Sequence, residues 1–210
     1  MPRFRLHHAP RTRASSILWL LEELGAEYEL VPHTLSEGTH KRPEFLAINP
    51  LGKIPTLEDR GPSGEWVGVT LSESAAIASY LADSLPEAGL APAVNTPSRA
   101  TYAMLMQYGP AILEPAMMDQ VAPRGTELPN PGAVGWPALD VAVARLEPLL
   151  QAGPWLLGQN FSAADVTIGG TLQWAVGWRL VKPSDRLRDY LAALMARPAK
   201  RRAVELEKAA

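Results

Sequence analysis

The chain has 210 residues, 47% of them hydrophobic, which allows one large domain or two small ones around a real core. Its formal net charge of −2 excludes the basic footprint of a nucleic-acid binder. The absence of cysteine excludes disulfides, thiolate metal sites and any protein thiol nucleophile.

No apolar run reaches the ~18 residues of a membrane span. The opening Met1-Pro2-Arg3-Phe4-Arg5-Leu6 has no apolar stretch of the secretory kind. The expectation is a cytoplasmic protein with neither membrane nor nucleic acid as partner. Phe4-Arg5-Leu6-His7-His8 alternates apolar and polar residues and predicts a short strand, stopped by Pro10. Ile17, Leu18, Leu20, Leu21 and Leu24 predict a helix over residues 14–24, with Glu22 and Glu23 facing out and Gly25 as its stop. Tyr28-Glu29-Leu30-Val31 is the next strand, and a right-handed strand–helix–strand unit makes the first two strands parallel. Residues 36–42 predict a polar, ordered loop carrying His40, and Pro43 opens a short helix that runs to Ile48.

Asn49-Pro50-Leu51-Gly52-Lys53-Ile54-Pro55-Thr56-Leu57 breaks that helix and runs into a strand over residues 56–58. Arg60-Gly61-Pro62-Ser63-Gly64 is turn chemistry, and residues 66–70 close a hairpin. A helix follows over residues 74–85. Residues 86–97, rich in proline and small side chains, form the predicted linker between a domain of residues 1–85 and an all-helical domain of residues 98–210. In the latter, a long helix over residues 99–121 is kinked or split by Pro110 and Pro115. A loop heavy in Pro and Gly spans residues 122–137, and helices are expected over 138–151, 163–178, 189–196 and 199–208. Ser162 and Asp165 have capping-box spacing, and Phe161 is placed for a hydrophobic staple.

Two stretches carry chemistry. A proline just before a strand, Pro55, fixes its own φ, removes a ladder donor and is one of the few places where a cis peptide is found. It leaves the N–H and C=O of Ile54 ready to pair with an extended, peptide-like ligand. Leu71-Ser72-Glu73-Ser74 ends a strand and opens a helix, so the Ser74 hydroxyl and the free N–H groups form an anion site. The Glu73 carboxylate beside it suits an ammonium, and the pair describes a patch for an amino-acid head group. Taken singly, each stretch is also what an ordinary strand start or helix cap looks like.

Together and in this order, Asn49-Pro50-x-Gly52-Lys53-Ile54-Pro55 and Glu73-Ser74-x-Ala76-Ile77 resemble the glutathione S-transferase family, in its theta-like and bacterial form. Gly158-x-x-Phe161-Ser162-x-x-Asp165 is similar to the buried capping signature of the family's helical domain. The resemblance implies an α/β plus all-α protein: a thioredoxin-like domain of order βαβ-α-ββ-α followed by an all-helical domain. It implies glutathione as co-substrate, no metal, an apolar electrophile as second substrate, and a homodimer. The Ile54 backbone is then expected to pair with the cysteinyl part of glutathione across a cis Pro55. Glu73 and Ser74 take the γ-glutamyl end, and His40 and Lys53 the glycine carboxylate. A second-substrate pocket between the domains is expected to use Tyr102, Met106, Tyr108, Pro110, Trp174 and Trp178, although aromatic and Met residues at helical spacing also describe plain core.

The catalytic position departs from the family pattern. Most members place Tyr, Ser or Cys just after the first strand, where this chain reads His8-Ala9-Pro10-Arg11-Thr12-Arg13-Ala14-Ser15-Ser16. Aligned back from Gly25, the serine position holds Arg11 and the cysteine position Arg13; Thr12 is the nearest hydroxyl. Ser15 and Ser16 are expected to pack or to bond back to the helix. Lowering a thiol pKa of ~8.5 by ~2 units takes about 2.7 kcal/mol of preference for the thiolate. A helix N-terminus, a hydroxyl donor and an inward arginine each contribute. The expectation is that Arg11 or Arg13, with Thr12, faces the thiolate or an anionic co-substrate. The functional readings are a glutathione transferase, a glutathione-dependent peroxidase or disulfide reductase, and a non-catalytic glutathione-binding or interaction protein. An isomerase of maleylacetoacetate lacks support, because the Ser-Ser-Cys element of that subgroup is missing.

Overall fold

The structure is a computed structural model that describes residues 1–122 and 131–209. The chain divides into two compact units, Met1–Ala88 together with Arg197–Ala210, and Gly89–Ala196.

In the first unit the elements run β1 (Phe4–His8), α1 (Ala14–Leu24), β2 (Tyr28–Pro32), α2 (Pro43–Leu46), β3 (Thr56–Asp59), β4 (Val69–Ser72) and α3 (Ser74–Ser84). This is the expected thioredoxin-like order. The sheet order is β2-β1-β3-β4. β1 and β2 are parallel, as the βαβ rule requires, and β3 is antiparallel to both β1 and β4. Phe4, Leu6 and Leu57 are fully buried in the sheet, and Ile17, Leu18, Trp19, Leu20 and Leu21 of α1 are fully buried as well. Gly25, at φ 62°, ends α1 in the left-handed conformation that glycine adopts without a Cβ penalty.

β4 begins three residues later than residues 66–70 predict. Trp66 instead turns back onto Gly61, where an added Cβ would lie 2.6 Å from the indole, and its N–H bonds to the Arg60 carbonyl at 2.8 Å. The hairpin loop is therefore wider than its turn residues indicate.

The larger correction concerns the C-terminus. The last helix, α9 (Pro198–Ala209), belongs to the first unit and not to the all-helical one. It lies antiparallel along α1. Arg197 pairs with Glu23 at 2.6 and 2.7 Å, Arg202 with Glu22 at 2.6 Å, and the Lys200 ammonium sits 4.6 Å from the Trp19 ring centroid. Glu22 and Glu23 thus do not face out; they receive the arginines of this helix.

The second unit is all-helical over its described residues: α4 (Pro97–Tyr108), α5 (Glu114–Val121), α6 (Leu139–Ala144), α7 (Ala163–Gly177) and α8 (Asp185–Ala196). α4 and α5 are joined through a widened turn at Gly109–Leu113 that contains Pro110. The missing proline N–H is absorbed by that turn, so the helical run bulges instead of breaking. α6 stops at Ala144 instead of reaching residue 151, and only a short turn at Leu149–Gln151 follows Pro148. α8 starts at Asp185, four residues before its expected start. The expected loop over residues 122–137 falls largely on residues 123–130, outside the described residues. Among the described residues, no helix is long and apolar enough to cross a membrane.

The capping box at α7 is present. Asp165 is fully buried; one carboxylate oxygen accepts the Ser162 N–H at 2.9 Å, and the other accepts the Leu156 N–H at 2.9 Å and the Tyr190 hydroxyl at 3.1 Å. Phe161 packs edge-on against Trp155, ring centroids 5.0 Å apart. Asp165→Ala strands these donors without an acceptor, each at ~1–3 kcal/mol. The expected loss of stability is at least about 3 kcal/mol, read as a lower urea midpoint at unchanged slope.

Candidate functional site

Four chain segments open from one end of the sheet, and the strand register dictates this. His7 pairs with Val31 on one side and Thr56 on the other, and Thr56 pairs in turn with Ser72. β1 and β2 run toward this end, β3 starts from it and β4 returns to it. Residues 9–13, 33–42, 49–55 and 73–74 are therefore neighbours, with adjacent strands spaced by roughly 4.8 Å.

Segment 49–55 is held by Asn49, which is buried. Its amide nitrogen donates to the Lys53 carbonyl at 3.1 Å and to the Thr56 hydroxyl at 2.9 Å, and its oxygen accepts the Leu51 N–H at 3.2 Å. The Thr56 hydroxyl donates to the same Lys53 carbonyl at 2.9 Å. The Ile54–Pro55 peptide is cis, as the resemblance implies. Gly52 has φ +55°, and an added Cβ would lie 2.7 Å from the His40 carbonyl oxygen and 2.9 Å from side-chain carbons of Leu46 and Lys41. Only glycine permits segments 33–42 and 49–55 to press together in this way. Lys41 adds a staple, its ammonium donating to the Leu51 carbonyl at 2.8 Å. His40 is half-buried and Lys53 exposed on these two packed segments. The stapling roles of Asn49 and Lys41 escape sequence reasoning, because their partners are backbone carbonyls.

Segment 73–74 is strained. Glu73 is exposed and has φ 67°, ψ 114°, a conformation that L-residues rarely adopt. The first intrahelical bond of α3 runs from the Ile77 N–H to the Glu73 carbonyl at 2.9 Å. The N–H groups of Ser74, Ala75 and Ala76 therefore lack acceptors within the helix and point out at the same sheet end. A carboxylate and a set of unpaired donors lie side by side.

Segment 9–13 leads into α1. The Thr12 hydroxyl donates to the Ala9 carbonyl at 2.7 Å and accepts the Ala14 N–H at 3.2 Å. Its proton is committed to the turn. Arg11 is exposed and left-handed at φ 58°, and Arg13 is exposed at the cap of the helix. Ser15 does not bond back to its own helix; its hydroxyl donates to Glu207 on α9.

A polar chain beneath α2 has no counterpart in the sequence expectations. His7 and His33 share a hydrogen bond of 2.9 Å, and His7 bonds Glu58 at 2.9 Å through its other nitrogen. Glu58 only accepts, so His7 carries its proton on Nε2, and its bare Nδ1 accepts from His33 Nε2. His33 Nδ1 faces the Thr39 hydroxyl at 3.3 Å. Both rings lean on Phe45, centroids 4.8 and 4.6 Å away, and they line a cavity of about 440 Å³ with Arg5, Arg42 and Ile48. The alternation of β1 marks the face on which His7 lies, but His33 lies past the end of its strand, where no period signals a partner.

In the second unit, Tyr102 and Met106 are almost wholly buried and make core, so neither presents surface to a ligand. Tyr108 is half-buried, its hydroxyl donating to the Ala142 carbonyl at 2.9 Å, and Pro110 is exposed. Trp174 and Trp178 stack with an interplanar angle of 9°, and Trp178 is 51% exposed. Among the described residues no cluster of three His, Asp or Glu side chains is arranged to hold a metal ion.

Comparison with known proteins gives three kinds of match. The family model of the glutathione S-transferase N-terminal domain matches residues 2–83. The chain is 31% identical over 182 residues to the disulfide-bond oxidoreductase YfcG of Escherichia coli strain K12, covering 82% of this chain and 79% of that protein. It is 30% identical to glutathione S-transferase 1 of Triticum aestivum over 93% of this chain and 90% of that one. A solved sphingomonad glutathione S-transferase complexed with glutathione aligns with a TM-score of 0.76 at 28% identity, over 98% of this chain and 100% of that chain.

The paired histidines set a pH dependence. Burial, and then the charges of His7 and His40, push His33 down to about 4 from its ordinary 6.5, and burial also lowers His7 against the pull of Glu58. The unfolded chain takes up protons first, so stability is intact above pH 6.5 and falls as pH drops toward about 4. Urea midpoints recorded across that window should decline in the native chain and decline less steeply in His33→Gln.

Proposed function

Because this chain belongs to the glutathione S-transferase family, we propose that it is a glutathione-dependent transferase that adds the glutathione sulfur to an apolar electrophile. The observation that carries this reading is the sheet register that gathers the cis-proline segment, the Glu73–Ser74 segment and the α1 turn at one end. Glutathione is a short extended peptide with a carboxylate at each end and one ammonium. The Ile54 backbone pairs its cysteinyl unit. Glu73 accepts the γ-glutamyl ammonium, and the Ser74 hydroxyl with the open N–H groups of α3 accepts the neighbouring carboxylate. Lys53 offers an ammonium and His40 a ring N–H to the glycine carboxylate.

The thiol then lies toward the α1 turn. The Thr12 hydroxyl is spent on Ala9, and the Ala14, Ser15 and Ser16 N–H groups bond to Thr12 and Arg13, so the thiolate relies on the dipole of α1 and on the charge of Arg11 and Arg13. The thiol proton leaves to solvent, the sulfur lone pair forms the new bond to the electrophilic atom, and any leaving group departs with the bonding pair. The working form is a homodimer.

A second reading, glutathione-dependent disulfide reduction, draws on the similarity to a disulfide-bond oxidoreductase. With no protein cysteine, the route needs two glutathione molecules. One thiolate attacks the disulfide and releases a thiolate; the second attacks the mixed disulfide and leaves glutathione disulfide.

Calorimetric titration with glutathione at pH 7, followed by ultraviolet difference absorbance of the bound thiolate, is the deciding measurement. Binding is expected, and none at millimolar glutathione would falsify the site. Glu73→Gln should weaken binding roughly tenfold, the value of one charged hydrogen bond at ~1.4 kcal/mol. Arg11→Ala and Arg13→Ala, made separately, should reduce thiolate absorbance in at least one case. A turnover panel of aryl halides against disulfides then separates the two reactions.

A further inference from the structure

The C-terminal helix α9 reaches back to the turn that bears Arg11, Thr12 and Arg13. One oxygen of Glu207, Oε1, accepts from His8 Nε2 at 2.9 Å and from the Ser15 hydroxyl. His8 is the last residue of β1 and Ser15 lies in the first turn of α1, so the two donors flank residues 9–14 on either side. His8 is fully buried, and its Nδ1 meets no partner, which puts its proton on Nε2, facing Glu207. The charged and titratable groups packed around this carboxylate are His8 on β1 and Lys200 on its own helix, the latter against Trp19 of α1. Burial raises the Glu207 carboxyl, but the hydrogen bonds from His8 and Ser15 and the nearby Lys200 ammonium outweigh it, leaving it below the usual range.

We propose that Glu207 is a positioning residue: its single oxygen clamps both flanks of the 9–14 turn and so fixes the helix start and the arginines that, on the glutathione reading, face the bound thiol. The role in thiol activation rests on the glutathione reading above, whereas the clamp itself stands on the contacts of Glu207 alone. The electrostatic consequence follows from distance. A charge or N–H group aimed at a thiolate loses much of its effect when the turn carrying it drifts by an ångström. The turn is also held by the local bonds of Thr12 and by the His33 N–H on the His8 carbonyl at 2.7 Å, and Arg11 within it keeps a left-handed conformation that costs energy.

The test uses the full chain and two readouts. Hydrogen exchange of amides 9–14 without ligand reads the clamp, and ultraviolet titration of bound glutathione against pH reads the thiol. In Glu207→Ala, exchange at 9–14 is expected to quicken, and the thiolate fraction at pH 7 to fall roughly threefold, with glutathione affinity little changed. Glu207→Gln keeps an acceptor oxygen while losing the charge, so it should retain slow exchange and the native titration. Ser15→Ala removes one arm and should fall between. Unchanged exchange in Glu207→Ala, or a Gln variant displaced as far as the Ala variant, would overturn the clamp. Faster exchange with an unaltered titration would reduce Glu207 to a structural staple. Faster exchange in a protein whose native form shows no thiolate signal would leave the clamp standing and sink the glutathione reading instead.

Discussion

Thr56 sits between His7 and Ser72 in the sheet, and the pairing of that one residue on both sides decides where the functional segments meet. Because β3 is antiparallel to both neighbours, its first residue is level with the last residue of β4 and the last but one of β1. A slip of one residue on either side would turn each strand's buried face outward and carry Glu73 out of step with Ile54. Thr56 also has a second bonding role, since its hydroxyl joins Asn49 in holding the Lys53 carbonyl. The sheet register and the shape of the cis-proline segment are thus secured by the same side chain.

Much of this was legible before any coordinates. The alternation of Phe4 to His8, the apolar stripe of α1 and its terminal Gly25 are strong local signals, and they predicted the elements within a residue or two. Pro55 and the Ser162–Asp165 box carried their own geometry. What stayed hidden has a common cause, which is that the deciding partner lies far along the chain. Amphipathic spacing shows that α9 has a face to bury but not that it buries it against α1. Glu22 and Glu23 look like solvated charges until Arg202 and Arg197, 180 and 174 residues away, are seen to meet them. Trp66 falls out of the predicted strand because Gly61 leaves room for an indole, a packing fact that no period records.

The α1 turn shows how a departure from the family pattern can be chemically coherent. Its hydroxyl and its first helical N–H groups are absorbed in closing the turn, and on the proposed reading positive charge is what would act on a bound anion, with no proton donated from a side-chain oxygen. Electrostatics of this kind depend on placement more than on residue type, which gives physical meaning to the distant contacts holding α1: Lys200, Arg202 and Glu207 come from the last helix and Arg197 from the residue before it.

Glu73 sets stability and site against each other in evolution. Its backbone lies where glycine is at ease and glutamate is not. A population selected for heat resistance alone would drift toward glycine at residue 73, gaining the ~1 kcal/mol that relief of such strain returns. It would keep its fold and lose its carboxylate. A thermostability screen run without a binding readout would therefore enrich the variants that have discarded the site.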